Sequence, residues 1–186
     1  AGFDRDYAWR LGRIADYEIF HTKMNSQRQP LLEFFQDEPG IREGMLALYE
    51  PMMEAVDQQV KASVMHYQRK EQLGSYNVFS LDGERASLRG DYYMPGKLAG
   101  ILFSAYEDEN NPQKRIIMVS LDSMMTLRVE DPSNQFDVNK LLSVLKEKLP
   151  HARINGGGHA FAGSIKFLPI AGDDVKKIVR EYIQSL

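Results

Sequence analysis

The sequence contains no cysteine, which excludes a disulfide scaffold, a thiolate zinc site and a cysteine nucleophile. It has no surplus of cations either: 23 Lys and Arg stand against 26 Asp and Glu, for a formal charge of −3. Coating nucleic acid through bulk electrostatics needs basic residues to displace condensed counterions. The charge argues against that mode and leaves a local phosphate pocket open. No stretch approaches the roughly 20 apolar residues that span a bilayer, so no membrane partner is expected. The N-terminus AGFDRDYAWRLGR has no apolar run behind a basic start and does not read as a secretory signal. A cytoplasmic protein is the default, and Ala1-Gly2 without Met reads as a trimmed or cloned boundary. Internal repeats and low-complexity tracts are also missing.

What is present is a chain of 186 residues, 43% of them apolar. That length is enough for one large or two small domains whose core needs no structural metal. Its character changes near residue 74. From Phe3 to about Lys23 the apolar residues Tyr7, Leu11, Ile14 and Ile19 recur at helical spacing, with Asp4 and Asp6 early, where carboxylates favour the positive helix end. Pro30 then interrupts the helix, and Leu31-Leu32 with Phe34-Phe35 predict a short buried turn or helix. A long amphipathic helix is predicted from Ile41 to about Leu73. Pro51 inside it removes a hydrogen bond, which predicts a kink or two helices meeting near Glu50.

After Gly74 the period shortens to two. Tyr76 to Leu81 and Ala86 to Asp91 predict a β-hairpin turning at Asp82-Gly83. Helices are predicted at KLAGILFSA after Pro95-Gly96, at VNKLLSVLKEKL as far as Pro150, and from Asp173 to Leu186 with Asp173 as the cap. Strands are predicted at Arg115 to Leu121, Met124 to Val129 and Gly163 to Pro169. The first of these is apolar almost throughout, as in a strand covered on both faces. The fold class is α/β: a mixed β-sheet with packed helices over residues 74–186, preceded by a helical connector over residues 1–73.

One stretch carries chemistry. Asn155-Gly156-Gly157-Gly158-His159 is followed by Ala160-Phe161-Ala162-Gly163. Each glycine costs roughly 0.5–1 kcal/mol in an ordered element, so three in a row imply unusual dihedrals or a close approach by something else. Successive backbone N–H groups form an anion cradle, and the adjoining histidine adds a donor able to carry charge. On composition alone a flexible loop with a solvated histidine is the equal alternative, since the run matches neither the P-loop nor the dinucleotide fingerprint.

GGGHAFAGSIKF, together with TLR about thirty residues earlier and FDVNKLLSVL between them, resembles the DHH-associated domain. This is the C-terminal half of DHH-type phosphoesterases, which include RecJ-like exonucleases, nano-RNases and cyclic-dinucleotide phosphodiesterases. The resemblance extends from about Tyr76 to Leu186, and the preceding helical segment resembles the family's connector. It implies that Gly156, Gly157, Gly158 and His159 bind the phosphate of a nucleotide or short single-stranded oligonucleotide. Arg128 of TLR would be the assisting cation, with a planar fork suited to two phosphate oxygens.

The family's N-terminal half holds two manganese ions through Asp and His, including an Asp-His-His triplet. Nothing here matches it: His21, His66, His151 and His159 lie apart in the sequence. The resemblance therefore implies a Mn2+-dependent hydrolase whose metal-binding half is missing from this chain, and a chain inactive by itself. The alternative is a non-catalytic nucleic-acid or nucleotide-binding module.

His21 and His66 on predicted helices, and His151 at a helix end, read as structural. Arg89, Arg153, Asn155 and Lys166 are secondary candidates for the substrate cleft. Most of the methionines sit on apolar faces and predict core packing. The long helix is a candidate homodimer surface, because an amphipathic stripe must bury itself against something.

Overall fold

The computed structural model describes residues 5–21, 40–87, 95–106 and 113–186, with the side chains of the first stretch as far as residue 14. The predicted turn at Leu31–Phe35, the side chain of His21, and Arg89 lie outside them. The chain divides into two compact units, residues 1–62 with 90–93, and residues 63–89 with 94–186.

In the first unit, helix α1 (Arg5–His21) packs on the first two-thirds of helix α2 (Ile41–Tyr67). Ile14, Met45, Leu46 and Met53 form its core, flanked by Tyr7, Leu11 and Tyr49. The Arg10 guanidinium grips Glu50 with two hydrogen bonds of 2.7 and 2.8 Å, and Arg13 pairs with Asp57. One helix runs through Pro51 instead of two meeting there. Ala47, whose carbonyl loses the Pro51 N–H, is exposed, so water can replace the missing donor. Leu48 and Met52 are also exposed, one turn apart on α2.

The helix stops at Tyr67, earlier than the periodicity predicts, and Arg69–Leu73 is strand β1. It forms a hairpin with β2 (Tyr76–Asp82) across a turn in which Gly74 takes φ 56°. The expected hairpin at Asp82-Gly83 is replaced by a helical turn, α3 (Gly83–Ala86). The Asp82 carboxylate accepts from the N–H groups of Glu84 and Arg85, which makes it an N-cap. Next come α4 (Pro95–Ala105), β3 (Arg115–Ser120), β4 (Met124–Glu130), α5 (Val138–Lys148), β5 (Asn155–His159), β6 (Ala162–Lys166) and α6 (Gly172–Gln184). Asp173 lies in the first turn of α6 and does not cap it; the capping position is Ala171.

The strands form one mixed sheet in the order β1-β2-β3-β4-β6-β5, with only β2 and β3 parallel. This is the expected α/β class. Strand β3 is central, and its first five residues are buried, as its apolar run predicts. The two sheet faces are covered unequally. On one, Val78, Ile116, Met118, Met125, Leu127 and Ile165 pack against Leu141, Leu142 and Leu145 of α5 and Val175, Val179 and Ile183 of α6. On the other, α4 lies over β3 and β4 with Leu98, Ala99 and Leu102 buried. It does not extend over β6 and β5.

A glycine edge strand as candidate phosphate site

The Asn155–His159 run is not a loop. It is β5, the edge strand of the sheet, paired antiparallel with β6. All three glycines adopt positive φ, 147° at Gly156, 158° at Gly157 and 154° at Gly158. This is the mirror image of ordinary strand geometry, open in practice only to glycine. A Cβ at Gly156 would fall 2.1 Å from the Ser164 carbonyl oxygen, and one at Gly158 would fall 2.2 Å from that of Ala162. At Gly157 it would meet nothing within 4 Å. Gly156 and Gly158 are thus demanded by β6, while Gly157 leaves space open.

Residues 160 and 161 form a two-residue turn, so His159 and Ala162 exchange ladder bonds and the pattern repeats at every second pair. Gly156 and Gly158 then turn their N–H and C=O groups to the sheet edge. Two contacts fit this: the Gly156 N–H donates to Asn155 Oδ1 at 2.8 Å, and Asn139 Nδ2 on α5 donates to the Gly158 carbonyl at 3.4 Å. The turn is anchored as well, since the Val129 N–H donates to the Phe161 carbonyl and the Val138 N–H to that of Ala160.

Register places the side chains. Arg128 pairs with Ala162, and Ala162 with His159. In the next row Thr126 pairs with Ser164, and Ser164 with Gly157. Paired residues share a face, so Arg128 and His159 stand on the face that α4 leaves uncovered, about 10 Å apart at Cα across two strand spacings. In the row between them stands Ala162, with only a methyl side chain. Both side chains are exposed, and among the described residues neither has a hydrogen bond or ion pair. The Arg128 guanidinium lies beside Gly100 of α4, 4.0 Å from where a Cβ would stand. Lys166 follows on the same face, exposed. The result is a shallow, cation-rimmed floor.

The structure therefore brings Arg128 to Gly157 and His159, about thirty residues away in sequence, and turns Gly156 and Gly158 to the edge beside them. Arg153 sits in a left-handed conformation at φ 50° just before β5, and His66 and His151 are exposed outside this face. Sequence reasoning missed Thr126 and Ser164, whose hydroxyl oxygens are 3.1 Å apart. Their signal was a small polar residue at the same alternation phase in TLR and GSI. A groove of about 890 Å3 lies at the opposite end of the sheet between α6 and β1–β3, lined by Arg69, Ser80, Met118, Ser120, Ile170 and Lys176. It includes none of the residues on the uncovered face.

No protein-family model matches the sequence. The uncharacterized protein MJ1198 of Methanocaldococcus jannaschii is 25% identical over 203 residues, covering 99% of this chain and 25% of that protein. A solved DHH domain described as a member of the s1p family of ribosomal proteins superposes with a TM-score of 0.81 at 26% identity, over 98% of this chain and 43% of that one. The chain's structure neighbours are DHH-domain proteins, which supports membership of the DHH-type phosphoesterase family. RecJ of Thermus thermophilus, solved with Mg2+, shares the fold at a TM-score of 0.57 and 15% identity, over 97% of this chain and 24% of that one. An exonuclease RecJ bound to manganese does so at 0.55 and 14%, over 98% and 45%. The chain thus spans about a quarter of its curated relative and under half of these solved ones.

Proposed function

We propose that this chain is the C-terminal, substrate-binding part of a DHH-type phosphoesterase, and that its uncovered sheet face holds a phosphate of a nucleotide or short single-stranded oligonucleotide. The observation that carries the reading is the pair of exposed side chains Arg128 and His159, flanking Ala162 and without a hydrogen-bond or ion-pair partner among the described residues. An exposed cation without a carboxylate is free to meet an anion, and the Arg fork can engage two phosphate oxygens. The flat floor of Ala162 and Gly157 lets the phosphate approach the strand itself. Held there, a phosphoester has its charge neutralised and its position fixed, which is the share of phosphoryl transfer that protein side chains supply.

The described residues do not fit a metal pair: no three His, Asp or Glu side chains gather among them where an ion could be held. We therefore assign to this chain binding and orientation only. In the intact protein, manganese held by other residues would polarise the phosphoryl group and activate water. No helix among the described residues is long and apolar enough to cross a membrane.

The test is binding of a fluorescein-labelled four-nucleotide oligothymidylate to the full chain, followed by anisotropy. Arg128→Ala and His159→Ala are each expected to weaken binding by roughly 10-fold or more, the worth of a charge-assisted hydrogen bond, with affinity falling as salt rises. Unchanged affinity in both variants, with thermal midpoints intact, would sink the assignment.

A further inference from the structure

Two hydroxyls stand on the same face as Arg128 and His159, and they carry a proton count that does not close among the described residues. Thr126 and Ser164 are register partners with oxygens 3.1 Å apart. A hydroxyl has one proton and two lone pairs. The pair therefore has two protons, and the bond between them uses one. Neither side chain makes another hydrogen bond among the described residues. Which proton is left over follows from burial. Thr126 is 7% exposed, under α4, whereas Ser164 is only half-buried. A stranded donor is costly when buried and cheap when it can reach outward, so Thr126 donates to Ser164. The Ser164 proton is then the spare one, on the open side.

Its position matters. Ser164 lies two residues from Ala162 on the same strand and face, about 7 Å along β6, and beside Gly157, which carries no side chain to cover it. An anion seated over Ala162 between Arg128 and His159 has the Ser164 hydroxyl next to it. Resting on the reading of this face as a phosphate platform, we propose that Ser164 is a specificity-determining contact. Oriented by Thr126, it donates a hydrogen bond to a non-bridging oxygen of a phosphodiester held between Arg128 and His159. Arg128 responds to charge, and His159 offers a ring N–H donor; the Ser164 hydroxyl responds to the presence of an acceptor oxygen at one place. Thr126 is a positioning residue that acts through Ser164.

The experiment compares two probes on the full chain by anisotropy: the labelled four-nucleotide oligothymidylate, and the same oligomer with methylphosphonate linkages, which lack the anionic oxygen. Wild type is expected to prefer the phosphodiester. Ser164→Ala should shrink that preference by roughly 10-fold while leaving methylphosphonate affinity and thermal midpoint unchanged. Thr126→Val should shrink it by about threefold, since Ser164 keeps its proton but loses its orientation, and Thr126→Ser and Ser164→Thr, which keep the donors, should restore it. Equal losses for both probes, or an unchanged ratio in Ser164→Ala while Arg128→Ala and His159→Ala still weaken binding, would overturn the hydroxyl contact and leave the platform standing. No preference in wild type together with no effect of Arg128→Ala or His159→Ala would overturn the platform itself.

Discussion

Gly158→Ala is expected to lower stability by about 3 kcal/mol and to abolish oligonucleotide binding, whereas Gly157→Ala should fold and bind poorly. At Gly158 two penalties combine. The backbone holds φ 154°, and a non-glycine residue in that region is strained by roughly 1–3 kcal/mol. The new methyl group would also fall 2.2 Å from the Ala162 carbonyl oxygen and 2.5 Å from Gly163 Cα. Both are main-chain atoms, so no flexible side chain can give way, and β5 must separate from β6. Because β5 is an edge strand, this separation is local: amides of β5 and β6 should lose hydrogen-exchange protection before the central strands do. Gly157 is held at φ 158° but has nothing within 4 Å of its would-be Cβ, so alanine there meets strain of about 1 kcal/mol and no collision. Its methyl group would stand on the floor beside Ser164, where the proposed phosphate would approach. Thermal midpoints and anisotropy on the two variants check this; the opposite ranking in stability would refute the account of β5.

The contrast between these glycines also marks where the sequence was readable. Three glycines beside a histidine signalled an unusual backbone, and the structure has one, but in a strand. Composition cannot separate a flexible loop from a mirror-image strand, because both need glycine and only the partner strand decides. Strand β4 and helix α5 were legible because each buries a periodic apolar face, and β3 because its apolar run is continuous, as in a strand covered on both sides. Strand β1 was not: Arg69-Lys70-Glu71-Gln72 has no β-branched residue, and it is a strand because β2 offers a free edge and Gly74 supplies the turn. Its charges suit an edge, where they discourage pairing with another chain. Asp82-Gly83 was read as a hairpin turn because an N-cap followed by glycine looks the same in sequence. The convergence of Arg128, His159, Thr126 and Ser164 lies a step further off. Their phases of alternation can be read one strand at a time, but the register between β4, β6 and β5 that aligns them is a tertiary fact.

Asp131→Ala is expected to cost about 4 kcal/mol, although the residue touches nothing on the uncovered face. Its carboxylate is 7% exposed and accepts five hydrogen bonds: from the Tyr76 hydroxyl at 2.9 Å, from the Ser133 hydroxyl and N–H, and from the N–H groups of Gln135 and Phe136. Tyr76 is fully buried and Phe136 is 1% exposed, so truncation strands at least two interior donors at roughly 1–3 kcal/mol each. Burial alone would raise the Asp131 pKa, but hydrogen bonds from Ser133, Phe136 and Tyr76 outweigh it and hold the carboxyl well below the usual range. A carboxylate with a folded pKa below its unfolded value stabilises fully above the latter, about 3.9, and loses that contribution as pH falls. Wild-type stability should therefore decline from about pH 5 downward, and Asp131→Asn should narrow its gap to wild type over the same range. The effect reaches the proposed binding face through the chain that follows. The segment Asp131 organises leads into α5, whose first residues hold the β5–β6 hairpin through the Val138 N–H to Ala160 bond and the Asn139 to Gly158 bond. Loosening it should weaken oligonucleotide binding without removing any ligand contact, and rescue at low temperature would separate this from a lost contact. A stability gap under about 1 kcal/mol, or one independent of pH, would show that Asp131 does not organise this turn.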